Sequence, residues 1–178
     1  MQNQDRERIK RVSKCFRWLF TMLAVAMPLV AFAYWMAFNH VPQEFIPLPA
    51  EAMVELPVAT RLYGFIVSML PVGVAIAAMH VLSRLFRLYE QGIVFSTTTV
   101  KYYRHLGIII MLWVLASFLY LPMLSHVLTY LNPPDHRVIV AQFGMSDLAA
   151  LLMGGVIILI SWVMDEARKL EEEQAQTI

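Results

Sequence analysis

Residues 16–38 read FRWLFTMLAVAMPLVAFAYWMAF, and how this stretch is read decides the fold. Its one charge, Arg17, stands at the entry, and everything after it is free of Asp, Glu, Lys and Arg. A helix rises about 1.5 Å per residue, so about 20 apolar residues cross a hydrocarbon core about 30 Å thick. The stretch is therefore a membrane span. Three more follow, at about 62–82, 106–131 and 148–164. The third is longer than the core requires, which predicts tilt or protrusion. The fourth is the shortest, bracketed by Asp147 and by Asp165 with Glu166.

Composition agrees. Of 178 residues, 59% are apolar and 15% charged, against about 45–50% and about 25% in ordinary globular chains. Mean hydropathy is +0.60. A soluble fold of this size would leave much of that apolar surface in water, which excludes a soluble enzyme or a nucleic-acid-binding domain as the whole protein. The expected fold is an all-α membrane protein, residues 1–178 forming one domain of four transmembrane helices in a bundle. The single cysteine, Cys15, has no partner for an internal disulfide.

The basic residues orient the spans. Arg6, Arg8, Lys10, Arg11, Lys14 and Arg17 precede or open the first span. Arg84, Arg87, Lys101 and Arg104 lie between the second and third, and Arg168 with Lys169 follows the fourth. Only Arg61 and Arg137 fall on the other side, a split of twelve to two. Basic residues collect on the cytoplasmic face, so both termini are expected in the cytoplasm. Ala31-Phe32-Ala33 imitates a signal-peptidase site, but the apolar run continues through Tyr34, Trp35 and Phe38, past any cleavage point.

The outer loops are 39–60 and 132–146. The first carries Pro42, Pro47, Pro49 and Pro57, which break regular structure, with room for a short strand or half-turn in FIPLPAEAMVEL. Val138-Ile139-Val140 of the second is a candidate to pair with it. The inner segments carry more information. Residues 2–14 read as an amphipathic basic helix, with Ile9, Val12 and Phe16 at helical spacing. In the inner loop, 83–105, Gly92 is placed to end the extended second helix as a left-handed cap, and Ser96 to N-cap the third. The tail, 165–178, should continue the fourth helix, bringing Glu166 beside Lys169 and Leu170 on adjacent turns.

Intramembrane ionisable groups mark ion and proton pathways. No Asp, Glu, Lys or Arg lies mid-span here, which argues against an ion-coupled transporter or pump. Pro28, Pro71 and Pro122 predict packing kinks. The histidines carry the sharpest chemical alternative. His80 and His105 lie near the inner ends of the second and third spans, and His40 and His126 near the outer ends of the first and third. Paired across facing helices, such residues ligate the iron of a b-type haem. Each also suits an ordinary interfacial position, so the expected cofactor is none. Gly73 with Ala77, Ala33 with Ala37, and Ala150 with Gly154 are small-residue pairs suited to close helix packing. Trp18, Tyr34, Trp35, Tyr63, Tyr102, Tyr103, Tyr130 and Trp162 read as interface anchors, and the methionines as core filling. No nucleophile–base pair, metal-spaced Cys/His cluster or phosphate loop occurs, so no catalytic or metal-binding residue is expected.

The stretch Leu85-Phe86-Arg87-Leu88-Tyr89-Glu90-Gln91-Gly92-Ile93-Val94-Phe95-Ser96 resembles a bacterial membrane family catalogued as domain of unknown function 2975. That family shows a comparable L-F-x-x-Y-x-x-G-x-x-F-[ST] run after its second span. The tail, Met164 to Glu173 and then Thr177-Ile178, is similar to the E-x-x-x-L-x-x-E endings of many members. Thr97-Thr98-Thr99 stands where an acidic residue or Asn is expected, and Gln176 replaces the usual aliphatic residue. The resemblance covers the chain from the first span onward. It implies four spans in the bacterial inner membrane, no established activity, and frequent proximity to a small helix-turn-helix regulator.

The expected function is thus non-enzymatic and regulatory: an inner-membrane protein that contacts lipid and binds a cytoplasmic partner such as that regulator. The partner-binding residues expected are Tyr89, Gly92, Phe95 and Ser96 of the loop, with Glu166, Leu170, Glu171, Glu172 and Glu173 of the tail. A small haem or electron-transfer protein is the alternative, and a minimal transporter the third.

Overall fold

A computed structural model describes residues 2–42, 55–93, 96–137 and 139–176; at 2–6, 136 and 171–176 the description stops at the backbone. Four long helices carry the fold: α1 (Gln2–Met36), α2 (Val58–Glu90), α3 (Thr97–Thr129) and α4 (Met145–Gln176). All four are long and apolar enough to cross a membrane. Short 3₁₀ turns, Phe38–His40 and Pro134–His136, follow α1 and precede α4. The described residues contain no strand. The loop pairing expected between 45–56 and 138–140 falls largely outside them; Val140 instead gives its backbone N–H to Ser125 Oγ at 3.0 Å.

The helices exceed the expected spans. The basic residues before the first span are already α1, so that helix is about 50 Å long at about 1.5 Å per residue. Most of the expected inner loop is helix as well: α2 runs on to Glu90 and α3 starts at Thr97, which leaves a six-residue turn. The first and third helices end two residues short of expectation, at Met36 and Thr129. Tertiary hydrogen bonds explain the first stop. Arg61 Nη1 donates to the Met36 carbonyl at 2.7 Å and satisfies an orphan helix end, while Asn39 exchanges two bonds with the Leu56 backbone. At the start of α4, the Asp147 carboxylate accepts from Gly144 N–H at 2.8 Å, which is half of a capping box.

Packing proceeds in series, α1 on α2, α2 on α3 and α3 on α4. Both chain termini thereby lie at one end of the bundle, called here the near end. The buried core sits at the far end, where Trp35 and Phe38 meet Leu56, Leu124 and Leu128. Leu85 and Val100 are buried at the near end and Val114 between, but many long apolar residues, such as Met22, Leu29, Leu152 and Val163, stay exposed, as faces surrounded by lipid tails do. Buried hydroxyls do not violate this apolar setting. Ser68, Ser125, Thr129 and Ser161 each donate to a carbonyl three or four residues back on their own helix.

Glycines allow α3 and α4 to approach closely. Gly107 of α3 crosses Gly154 of α4, where a Cβ on Gly107 would fall 2.8 Å from the Gly154 carbonyl oxygen. The sequence placed Gly154 in a packing seam but did not supply its partner. Gly73 has nothing within 4 Å of its Cβ position, so the seam expected with Ala77 is not one of these contacts.

Candidate functional site

Two places concentrate polar groups within the helices. One is the near-end turn between α2 and α3. Gly92 has φ +78°, Ile93 N–H donates to Leu88 O and Gly92 N–H to Tyr89 O, both at 3.0 Å. These are the two bonds of a Schellman cap. Four residues on, Ser96 Oγ accepts from Thr99 N–H at 3.1 Å and caps α3. Both ends of the turn are thus locked by their own hydrogen bonds, as the sequence led us to expect. Tyr89 adds a tertiary tie, its hydroxyl 2.7 Å from that of Tyr103 on α3.

Around this turn α1 and α2 are joined by aromatic and ionic contacts. Phe16 and Phe20 pack on Phe86, which meets Tyr89 edge-on. Beside them Arg17 Nε lies 3.3 Å from Glu90 Oε2, both side chains about 30% exposed. Thr21 and Ser83 share a 3.0 Å hydrogen bond one turn deeper. The sequence marks Tyr103 as an interface anchor but shows neither its pairing with Tyr89 nor the Arg17–Glu90 pair, because spacing along one chain does not say which helix faces touch.

The remaining expected residues are more dispersed. Glu166 pairs with Lys169 at 3.4 Å, and Asp165 with Arg168 and Lys169 at 3.3 and 3.5 Å, so these acids bind cations of their own helix. Leu170 is exposed. Glu171, Glu172 and Glu173 lie on the helical backbone of α4, and Phe95 lies outside the described residues. His40, His80, His105 and His126 are all exposed, with His126 set against the Tyr130 ring.

The second place is a groove of about 470 Å³ over α2, between α1 and α3. Leu23, Met27 and Val30 of α1, Pro71 and Ala75 of α2 and Trp113 of α3 supply apolar walls. Its polar groups gather toward the far end. Trp35 Nε1 donates to Ser68 Oγ at 2.7 Å, Ser68 donates to Gly64 O at 2.9 Å, and the Tyr120 hydroxyl is 3.4 Å from Ser68 Oγ. Tyr34 lines the same end. This corrects the assignment of Trp35 as an interface anchor: it is 1% exposed and stacks on Phe38 at 5.0 Å. The sequence showed a Tyr-Trp pair at a span end, but not that the indole turns inward.

The helices, the turn and the groove belong to a sequence pattern that other chains share. A model of the family described as protein of unknown function DUF2975 matches residues 18–178. The chain belongs to that family. The DUF2975 match takes in the capped turn and every groove residue, and begins just after Arg17. No curated protein and no solved structure matches the chain.

Proposed function

We propose that this multi-pass membrane protein is a non-enzymatic regulator of the bacterial inner membrane that holds a cytoplasmic partner at its near end. The observation that carries the reading is the doubly capped turn from Leu88 to Ser96. A turn fixed by hydrogen bonds at both ends holds one shape, which suits a surface that a partner recognises. The twelve-to-two split of basic residues supports a cytoplasmic near end, with both termini inside. The α4 extension leaves from the same end, with five acids against two basic residues over 165–178. An acidic surface of that kind attracts a basic protein face and competes with DNA for it. A small helix-turn-helix regulator is the partner this chemistry fits.

The test is fractionation of a small helix-turn-helix regulator co-expressed with the protein. The regulator should travel with membranes when the chain is intact. It should become soluble when Glu171, Glu172 and Glu173 are replaced by Lys, and partly so with Gly92→Val. A regulator that stays soluble beside the intact chain, or stays bound after both changes, sinks the proposal.

A further inference from the structure

We infer that the groove between α1 and α3 is a binding site for a neutral, single-chain lipid, with its small hydrogen-bonding head at the far end and its tail toward the near end. The three helices agree on the direction. Along α1 the lining runs from Leu23 to Trp35, along α2 from Ser68 to Ala75 and along α3 from Trp113 to Tyr120. At about 1.5 Å per residue these stretches are about 18 Å and about 10 Å tall. In each one a hydroxyl stands at the far end and a side chain without one at the other: Tyr34 against Leu23, Ser68 against Ala75, Tyr120 against Trp113. The site is amphipathic along its length, as a lipid is.

Charge complementarity selects the head. The lining contains no Asp, Glu, Lys, Arg or His. An ionic head in this apolar groove would go unpaired, which costs far more than burying a hydroxyl. The groups available are the Tyr34 and Tyr120 hydroxyls, each able to donate and accept; Ser68, 7% exposed, already donates to Gly64 and accepts from Trp35. An alcohol or ester carbonyl satisfies them and is satisfied in return. Size selects a single tail. About 470 Å³ lies in the lower half of the range for small-molecule sites, about 300–1,000 Å³, too little for a two-chain phospholipid. The groove is open along one side within the spanning segments, so such a lipid reaches it from the bilayer without crossing water.

Trp35, 1% exposed and part of the groove wall, reports on occupancy. The experiment uses the full chain with Trp18→Phe, Trp113→Phe and Trp162→Phe, all exposed positions, in phosphatidylcholine nanodiscs. Indole quenching is titrated with three probes carrying the same brominated chain: a monoacylglycerol, the free fatty acid at pH 8 and a phosphatidylcholine. The monoacylglycerol should quench saturably at a mole fraction at least tenfold below that needed for either other probe. Ala31→Phe with Ala75→Phe, which fills the groove, should abolish that preference. Tyr34→Phe with Tyr120→Phe, which keeps the shape and removes two hydroxyls, should reduce it at least threefold. The tyrosine pair decides the matter if the filled variant does not fold. Equal quenching by all three probes, a preference for the fatty acid, or an unchanged preference in the tyrosine variant overturns the site. So does uniform shielding from all three probes, the mark of a second copy's helix seated there.

Discussion

Trp35 of α1 occupies the space that a Cβ on Gly64 of α2 would need, and its indole nitrogen reaches past that glycine to Ser68, 2.7 Å away. The contact joins the α1–α2 hairpin to the far-end core and closes one end of the groove. Glycine is required at 64 because the indole sits directly on the backbone.

Gly64→Ala should therefore destabilise the hairpin by about 1–3 kcal/mol, the usual cost of forcing a methyl into a filled site. Gly73→Ala, where the added methyl meets open space, is the control and should be near neutral or slightly stabilising through helix propensity. Unfolding in mixed micelles, followed by helical circular dichroism, separates the two. Equal stability for both variants would mean that Trp35 moves aside at no cost.

The near-end turn gives a second expectation. A residue with a side chain at Gly92 must adopt φ near +78°, which costs roughly 1–2 kcal/mol for an L-residue. Ser96→Ala should lose about 0.5–2 kcal/mol by leaving Thr99 N–H without its cap. Since the two caps close opposite ends of one turn, protection of the Ile93 and Thr99 amides from hydrogen exchange should fall locally. The spans should keep theirs.

The Arg17–Glu90 pair ties α1 to the last residue of α2. With both side chains about 30% exposed, a coupling of about 0.5–1 kcal/mol is expected rather than a buried-pair value. A double-mutant cycle with Arg17→Gln and Glu90→Gln measures it, and the charge-swapped double variant should recover part of the loss. A coupling of zero at low salt would assign the junction to the Phe16, Phe20 and Phe86 rings alone.

Topology follows from the basic residues. Reporter fusions after Lys14, at Gln91 and after Ile178 should read cytoplasmic, and fusions near Glu51 and Asp135 external. An external signal at Gln91 would break the four-span assignment.

The number of spans, their approximate limits and both caps of the near-end turn were legible in the sequence. Each rests on physics that acts within a few residues: apolar length against the bilayer, one glycine's access to positive φ, one serine's reach to the N–H three residues on. The mates of Trp35, Gly107 and Arg17 were not legible, nor was the groove. Lipid tails are as apolar as leucine, so no hydrophobic gradient tells which face of a span turns toward its neighbours. Tyr34 and Trp35 are consecutive residues of one span end and both line the groove, yet Tyr34 stays exposed while Trp35 is buried in the far-end core. Only the rotation and close contact of the assembled helices, with Gly64 of α2 under the Trp35 indole, decided that difference.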